Sequence, residues 1–180
     1  EEKYHGKRHV FRTREPGGWD GGSWIREHIL KGDFSHPMSE LFLFLVDRCE
    51  HVRRKILPVL EGGGIVICER YTDSTLAYQS WGRGIPPGKV ETLFEWCSFP
   101  SPNRTFWLDI PVKTAIERVC LRGARDRFEE EGSAFLERVR TGFSSLAARD
   151  PHRICTVEAS EEPEALASKI FSLVEVSLSR

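Results

Sequence analysis

Across 180 residues, 26 Lys and Arg stand against 27 Asp and Glu for a formal net charge of −1, and the 39% hydrophobic content is enough for one domain with a sizeable core. That charge balance argues against duplex DNA or an anionic membrane as partner, but leaves room for a small anionic ligand at a local basic cluster. No apolar run approaches the roughly 20 residues of a membrane span, and five cysteines without a CxxC-type pair argue against a disulfide framework or zinc site, so a cytoplasmic protein with reduced thiols is expected.

In chain order, residues 8–13 read as a short strand, closed by the turn Arg14-Glu-Pro-Gly-Gly18, where Pro16 biases Glu15 to extended geometry. Residues 23–31 form a helix stopped by Gly32. A longer helix runs from about 39 to 60, and its apolar stretch 41–46 is expected to be buried all round. After Gly62-Gly-Gly64, the continuous apolar run 65–68 predicts a strand covered on both faces. Helices follow from about 73 and over 87–96, then a strand at 104–109 and a helix at 112–121. Residues 133–149 are helical, 153–157 form a fourth strand, and 163–178 a terminal helix. Strands alternating with helices predict an α/β fold with a mainly parallel sheet, in a single domain spanning 1–180.

In such a sheet ligands gather beyond the carboxyl ends of the strands. That selects Arg14-Glu15, Glu69-Arg70, Asp109 and Glu158. Glu40, Phe44 and Arg48 recur every four residues and share one helix face, where a ring and a guanidinium suit a planar base. The competing reading makes Phe44 core and Arg48 a surface partner of Glu40. Arg118, Arg122, Arg125 and Arg127 crowd one segment, and their repulsion calls for an anion or for pairing to Asp126, Glu129, Glu130 and Glu131.

Four stretches in this order resemble the thymidylate kinase family: Thr13-Arg-Glu-Pro-Gly-Gly18; Glu40-Leu-Phe-Leu-Phe-Leu-Val-Asp-Arg-Cys-Glu-His-Val52; Ile65-Val-Ile-Cys-Glu-Arg-Tyr-Thr-Asp-Ser-Thr-Leu-Ala-Tyr-Gln79; and Arg122-Gly-Ala-Arg-Asp-Arg-Phe-Glu129. The resemblance implies the parallel sheet of a P-loop nucleoside-monophosphate kinase, and transfer of the γ-phosphate of ATP to dTMP with Mg²⁺, by a homodimer that binds neither nucleic acid nor membrane. It implies that Phe44 stacks on thymine, Arg48 bonds the base edge, and Arg70 holds the dTMP phosphate with help from Arg14 or Glu15. Ser74 and Thr75 would contact the base, Tyr78 would pack under the sugar and disfavour a ribose hydroxyl, and Gln79 sits beside it. Residues 118–131 resemble a lid whose Arg122, Arg125 and Arg127 supply catalytic charge.

Three positions depart from the family pattern. Glu69 replaces an aspartate, keeping a carboxylate for Mg²⁺. Trp19-Asp-Gly-Gly22 replaces smaller residues after the turn. No G-x-x-x-x-G-K-[ST] occurs, although the family cradles the ATP phosphates in such a loop after its first strand. The expectation is that strand and loop lie upstream of Glu1, leaving sheet edges exposed in this chain. Two rival readings remain open at this level: a remnant that binds dTMP without phosphoryl transfer, and a related P-loop kinase for another nucleoside or nucleotide.

Overall fold

The computed structural model describes residues 9–122 and 127–178. The chain is α/β. Strand β1 (Val10–Arg14) pairs in parallel with β2 (Ile65–Glu69), from Val10 opposite Ile65 to Arg14 opposite Glu69. Likewise β3 (Thr105–Asp109) pairs in parallel with β4 (Ile154–Glu158). The expected continuous sheet is therefore two separate parallel pairs among the described residues. Ile67 on β2 and Leu108 on β3 remain about half exposed, at 48% and 46%.

The helices are α1 (Gly22–Lys31), α2 (Pro37–His51), α3 (Leu57–Glu61), α4 (Thr72–Thr75), α5 (Pro87–Trp96), α6 (Val112–Arg122), α7 (Arg127–Glu130), α8 (Ser133–Arg149) and α9 (Pro163–Leu178). His36 caps α2 by accepting from the Met38 amide at 3.1 Å, and Pro37 sits at the first turn, where its missing N–H costs nothing. Instead of one helix to about 60, the chain passes through a wider π turn at Val52–Ile56. Pro58 lies just beyond and cannot donate to an upstream carbonyl, so the local change of winding absorbs it. A second π segment, Leu76–Gly82, continues α4.

The core joins Ile25 and Ile29 of α1 to Leu41 and Leu45 of α2, Leu76 and Ala77 of the π segment, and Phe135, Val139 and Leu146 of α8. The π segment and α8 approach closely because glycine stands at the crossing: a Cβ on Gly82 would lie 2.7 Å from the Phe135 ring. Burial all round at 41–46 is corrected. Leu41 and Leu45 are buried, but Phe42 and Val46 are 50% and 51% exposed, because α2 packs against its neighbours on one side only. Among the described residues, no helix is long and apolar enough to cross a membrane.

Candidate functional site

The glycine turn at the end of β1 is pinned from two sides. The Glu15 amide donates to the Glu69 carbonyl at 2.9 Å, extending the ladder by one residue. Gly17, at φ +94°, donates its N–H to Asp47 Oδ2 at 2.9 Å, and Trp19 Nε1 donates to Asp47 Oδ1 at 2.9 Å. Burial raises the Asp47 pKa above the usual carboxylate value, against the lowering effect of those two donors. Trp19, unexpected from the family pattern, thus braces the turn. Gly18 admits no side chain, since a Cβ would lie 2.5 Å from the Arg14 carbonyl, Thr13 Oγ1 and His51 Nε2.

Glu15 is buried at the centre of the polar network. It accepts from Arg48 Nε at 2.7 Å and pairs with His51 Nδ1 at 2.9 Å. Arg48 Nη2 donates to Thr75 Oγ1 at 2.8 Å, and the guanidinium lies within 5.1–5.6 Å of the Tyr71, Phe94 and Phe99 ring centroids. Arg48 Nη1 is buried without a hydrogen-bond partner among the described residues. Glu40 is equally buried and accepts from Gln79 Nε2 at 2.8 Å, from Arg83, and from Arg127. The surface pairing of Arg48 with Glu40 is therefore excluded. Both side chains point inward, to different partners.

At the end of β2, Arg70 adopts φ +60°, a left-handed conformation that costs a non-glycine residue about 1–2 kcal/mol. Its guanidinium lies 4.9 Å from the Tyr78 ring centroid. Strain of this kind persists where the surroundings demand it, commonly at functional sites.

One cavity brings Phe44, Arg48 and Arg70 together with Ser74, Thr75, Tyr78 and Gln79. Arg14, Glu15 and Glu69 line its other end. Arg26, Tyr71 and Phe128 also line it, and sequence reasoning gave them no role. Arg26 donates to the Pro16 carbonyl at 2.9 Å, and Phe128 directly follows Arg127. The Phe128 ring centroid is 6.2 Å from that of Phe44 and 5.6 Å from that of Tyr78, edge-on to the latter. The Asp-Arg-Phe-Glu motif carried that signal, but spacing alone assigns it no partner.

Two expected roles meet competition. The Thr75 hydroxyl accepts from Arg48 and so supports the arginine at least as directly as any base. The Arg127 guanidinium is committed to Glu40 and lies over the Phe34 and Phe128 rings. The Arg122 side chain and Arg125 lie outside the described residues. Arg118 donates to the Ala159 carbonyl at 3.0 Å. The other two strand ends are capped within the protein: Arg140 chelates Asp109 at 2.7 and 3.0 Å, and Ser160 donates to Glu158 at 3.2 Å.

For a cation, Glu69 is the suitable carboxylate. It is exposed, lines this cavity and a second one beside Arg12 and Lys55, and has no hydrogen-bonded side-chain partner among the described residues. Glu15, His51 and Cys68 also cluster, with ligand atoms within 4.8 Å of one another. They do not suit Mg²⁺, which prefers oxygen ligands. Both Glu15 oxygens are engaged, and burial pushes the Cys68 thiol well above its usual pKa, keeping it protonated.

The thymidylate kinase family model matches residues 1–170. Thymidylate kinase of Synechococcus sp. (strain JA-2-3B'a(2-13)) is 43% identical over 167 residues, covering 92% of this chain and 80% of its own length. That of Methylococcus capsulatus is 41% identical over 170 residues, with 92% and 82% covered. The crystal structure of thymidylate kinase from Ehrlichia chaffeensis superposes with a TM-score of 0.77 at 28% identity, covering 97% of this chain and 85% of that one. With the fold, the cavity and these likenesses in agreement, this chain belongs to the thymidylate kinase family.

Proposed function

We propose that this protein transfers the γ-phosphoryl group of ATP to the 5′-phosphate of dTMP, giving dTDP. The observation that carries the reading is the convergence of Phe44, Arg48 and Arg70 on one cavity, inside a chain of this family. Phe44 supplies the stacking surface for thymine. Arg48, held rigidly by Glu15 and Thr75, keeps Nη1 for a carbonyl of the base. Gln79 is oriented by Glu40, since a carboxylate can only accept from its amide nitrogen. Its oxygen, without a partner among the described residues, then accepts the N3–H of thymine. Cytosine presents the opposite pattern at these positions.

Arg70 holds the acceptor phosphate beside Arg14. Tyr78, wedged against Phe128, Phe135 and Phe143, forms the floor under the deoxyribose. Arg122 and Arg125 supply charge on the donor side. Phosphoryl transfer of this kind is mainly positioning and charge neutralisation. Glu69 would hold Mg²⁺ together with phosphate oxygens and water, and the bound ion would neutralise phosphate charge. Phe42 and Val46, half exposed on the outer side of α2, support a homodimer through that face.

The test is ATP-dependent turnover and equilibrium binding of dTMP, dUMP, dCMP and UMP by the full-length protein. Turnover of dTMP with much weaker binding of dCMP is expected. Equal binding of dCMP and dTMP would overturn the assignment of Arg48 and Gln79, and absence of dTMP turnover would overturn the function.

A further inference from the structure

Glu40 enters the proposed chemistry only by orienting Gln79, yet it is among the most buried charges of the described residues, at 1% exposed. A lone buried carboxylate is costly, and this one is compensated by three donors from two parts of the chain. Gln79 Nε2 donates to Oε1 at 2.8 Å from the π segment. Arg83, just past that segment, reaches Oε1 at 3.3 Å and Oε2 at 3.1 Å, and pairs also with Glu131 at 2.5 Å. Burial disfavours the Arg83 charge, but Glu40 and Glu131 outweigh it and raise its pKa. Arg127 Nη2 donates to Oε2 from α7, within the lid. The next residue, Phe128, is 6% exposed and forms part of the wall of the nucleotide cavity.

We propose that Glu40 is a positioning residue that couples the lid to base recognition: one carboxylate sets the Gln79 amide with its oxygen free for the ligand, and anchors Arg127 so that Phe128 seats against Phe44 and Tyr78. This inference rests on the dTMP reading above and adds the device that maintains its specificity. Without the carboxylate, nothing requires the Gln79 amide to keep its nitrogen on Glu40's side. A flipped amide offers a donor where thymine also has a donor, and suits the unprotonated ring nitrogen of cytosine.

The test is equilibrium binding of dTMP and dCMP to the full-length protein, so that it does not depend on turnover. Glu40→Gln is expected to lower the dTMP-to-dCMP affinity ratio by about tenfold or more, the cost of facing a buried donor with a donor. The double variant E40Q/Q79E is expected to restore the ratio, because a carboxylate at 79 offers only acceptors. Arg127→Gln is expected to weaken both ligands several-fold without changing the ratio, because it loosens the Phe128 wall alone. Arg153→Gln, which breaks the ion pair with Asp73 outside the cavity, controls for general destabilisation and should leave the ratio unchanged. An unchanged ratio in Glu40→Gln, or a fall matched by Arg153→Gln, overturns the proposal. A parent that binds dTMP selectively but transfers no phosphate overturns the function and leaves this inference standing. A parent that does not bind dTMP overturns both.

Discussion

Arg48 Nε and Glu15 Oε2 lie 2.7 Å apart with their side chains 1% and 2% exposed, joining the middle of α2 to the turn after β1. Two charges so placed are each other's main compensation, and losing one strands the other in a low-dielectric interior. Glu15→Ala and Arg48→Ala should each cost about 3–5 kcal/mol. Urea unfolding would show it, and a loss under about 1 kcal/mol would mean that water reaches the pair.

Arg70 separates stability from activity. Both Arg70→Ala and Arg70→Gly should cut dTMP turnover by a few orders of magnitude, because each removes the guanidinium proposed to hold the acceptor phosphate. Glycine adopts φ +60° without penalty, so Arg70→Gly should be more stable than Arg70→Ala by about 1 kcal/mol. Near-normal turnover in either variant would remove Arg70 from the mechanism, and equal melting temperatures would remove the strain.

Asp47 accepts from two N–H groups, and an amide can satisfy only one of them. Asp47→Asn should therefore cost about 1–3 kcal/mol at pH 7 and loosen the turn carrying Arg14 and Glu15. The direction of the pH effect follows from the raised pKa. Folded Asp47 binds a proton more readily than in the unfolded chain, so its ionised form opposes folding at neutral pH, and that opposition is lifted as pH falls through the folded pKa. The stability gap between parent and Asp47→Asn should widen in the parent's favour as pH is lowered from 7 toward the ordinary carboxylate value of 3.8. A flat or narrowing gap would contradict the burial assigned to this carboxylate.

Cys49 is exposed, yet partial burial and a hydrogen bond with Cys97 push its thiol up to about 11. Thiolate is the reactive form, so alkylation of Cys49 at pH 8 should be slow and rise about tenfold per pH unit. Cys97→Ser should leave a thiol that labels no more slowly than in the parent. Peptide mapping after iodoacetamide treatment would report both, and rapid labelling of Cys49 at pH 8 would refute the raised pKa.

Element types and their order were readable along the chain, because period-two and near-3.6 patterns and glycine or proline stops are local. The strands shifted by a residue or two: 8–13 became Val10–Arg14, and 104–109 became Thr105–Asp109. That the residues at the ends of β1 and β2 meet at one cavity was also readable, because parallel strands place their carboxyl ends together. Helical spacing put Glu40, Phe44 and Arg48 on one face. It could not say that Arg48 reaches Glu15, 33 positions away, or that Glu40 reaches Arg127, 87 positions away.

Local pattern settles which side chains share a face, since backbone geometry repeats over a few residues, but not which face is covered, as the exposed Phe42 and Val46 show. Partners are another matter. Which charge meets Glu15 or Glu40, and which ring closes the cavity beside Phe44, depends on how distant elements pack, and no short-range periodicity encodes that packing.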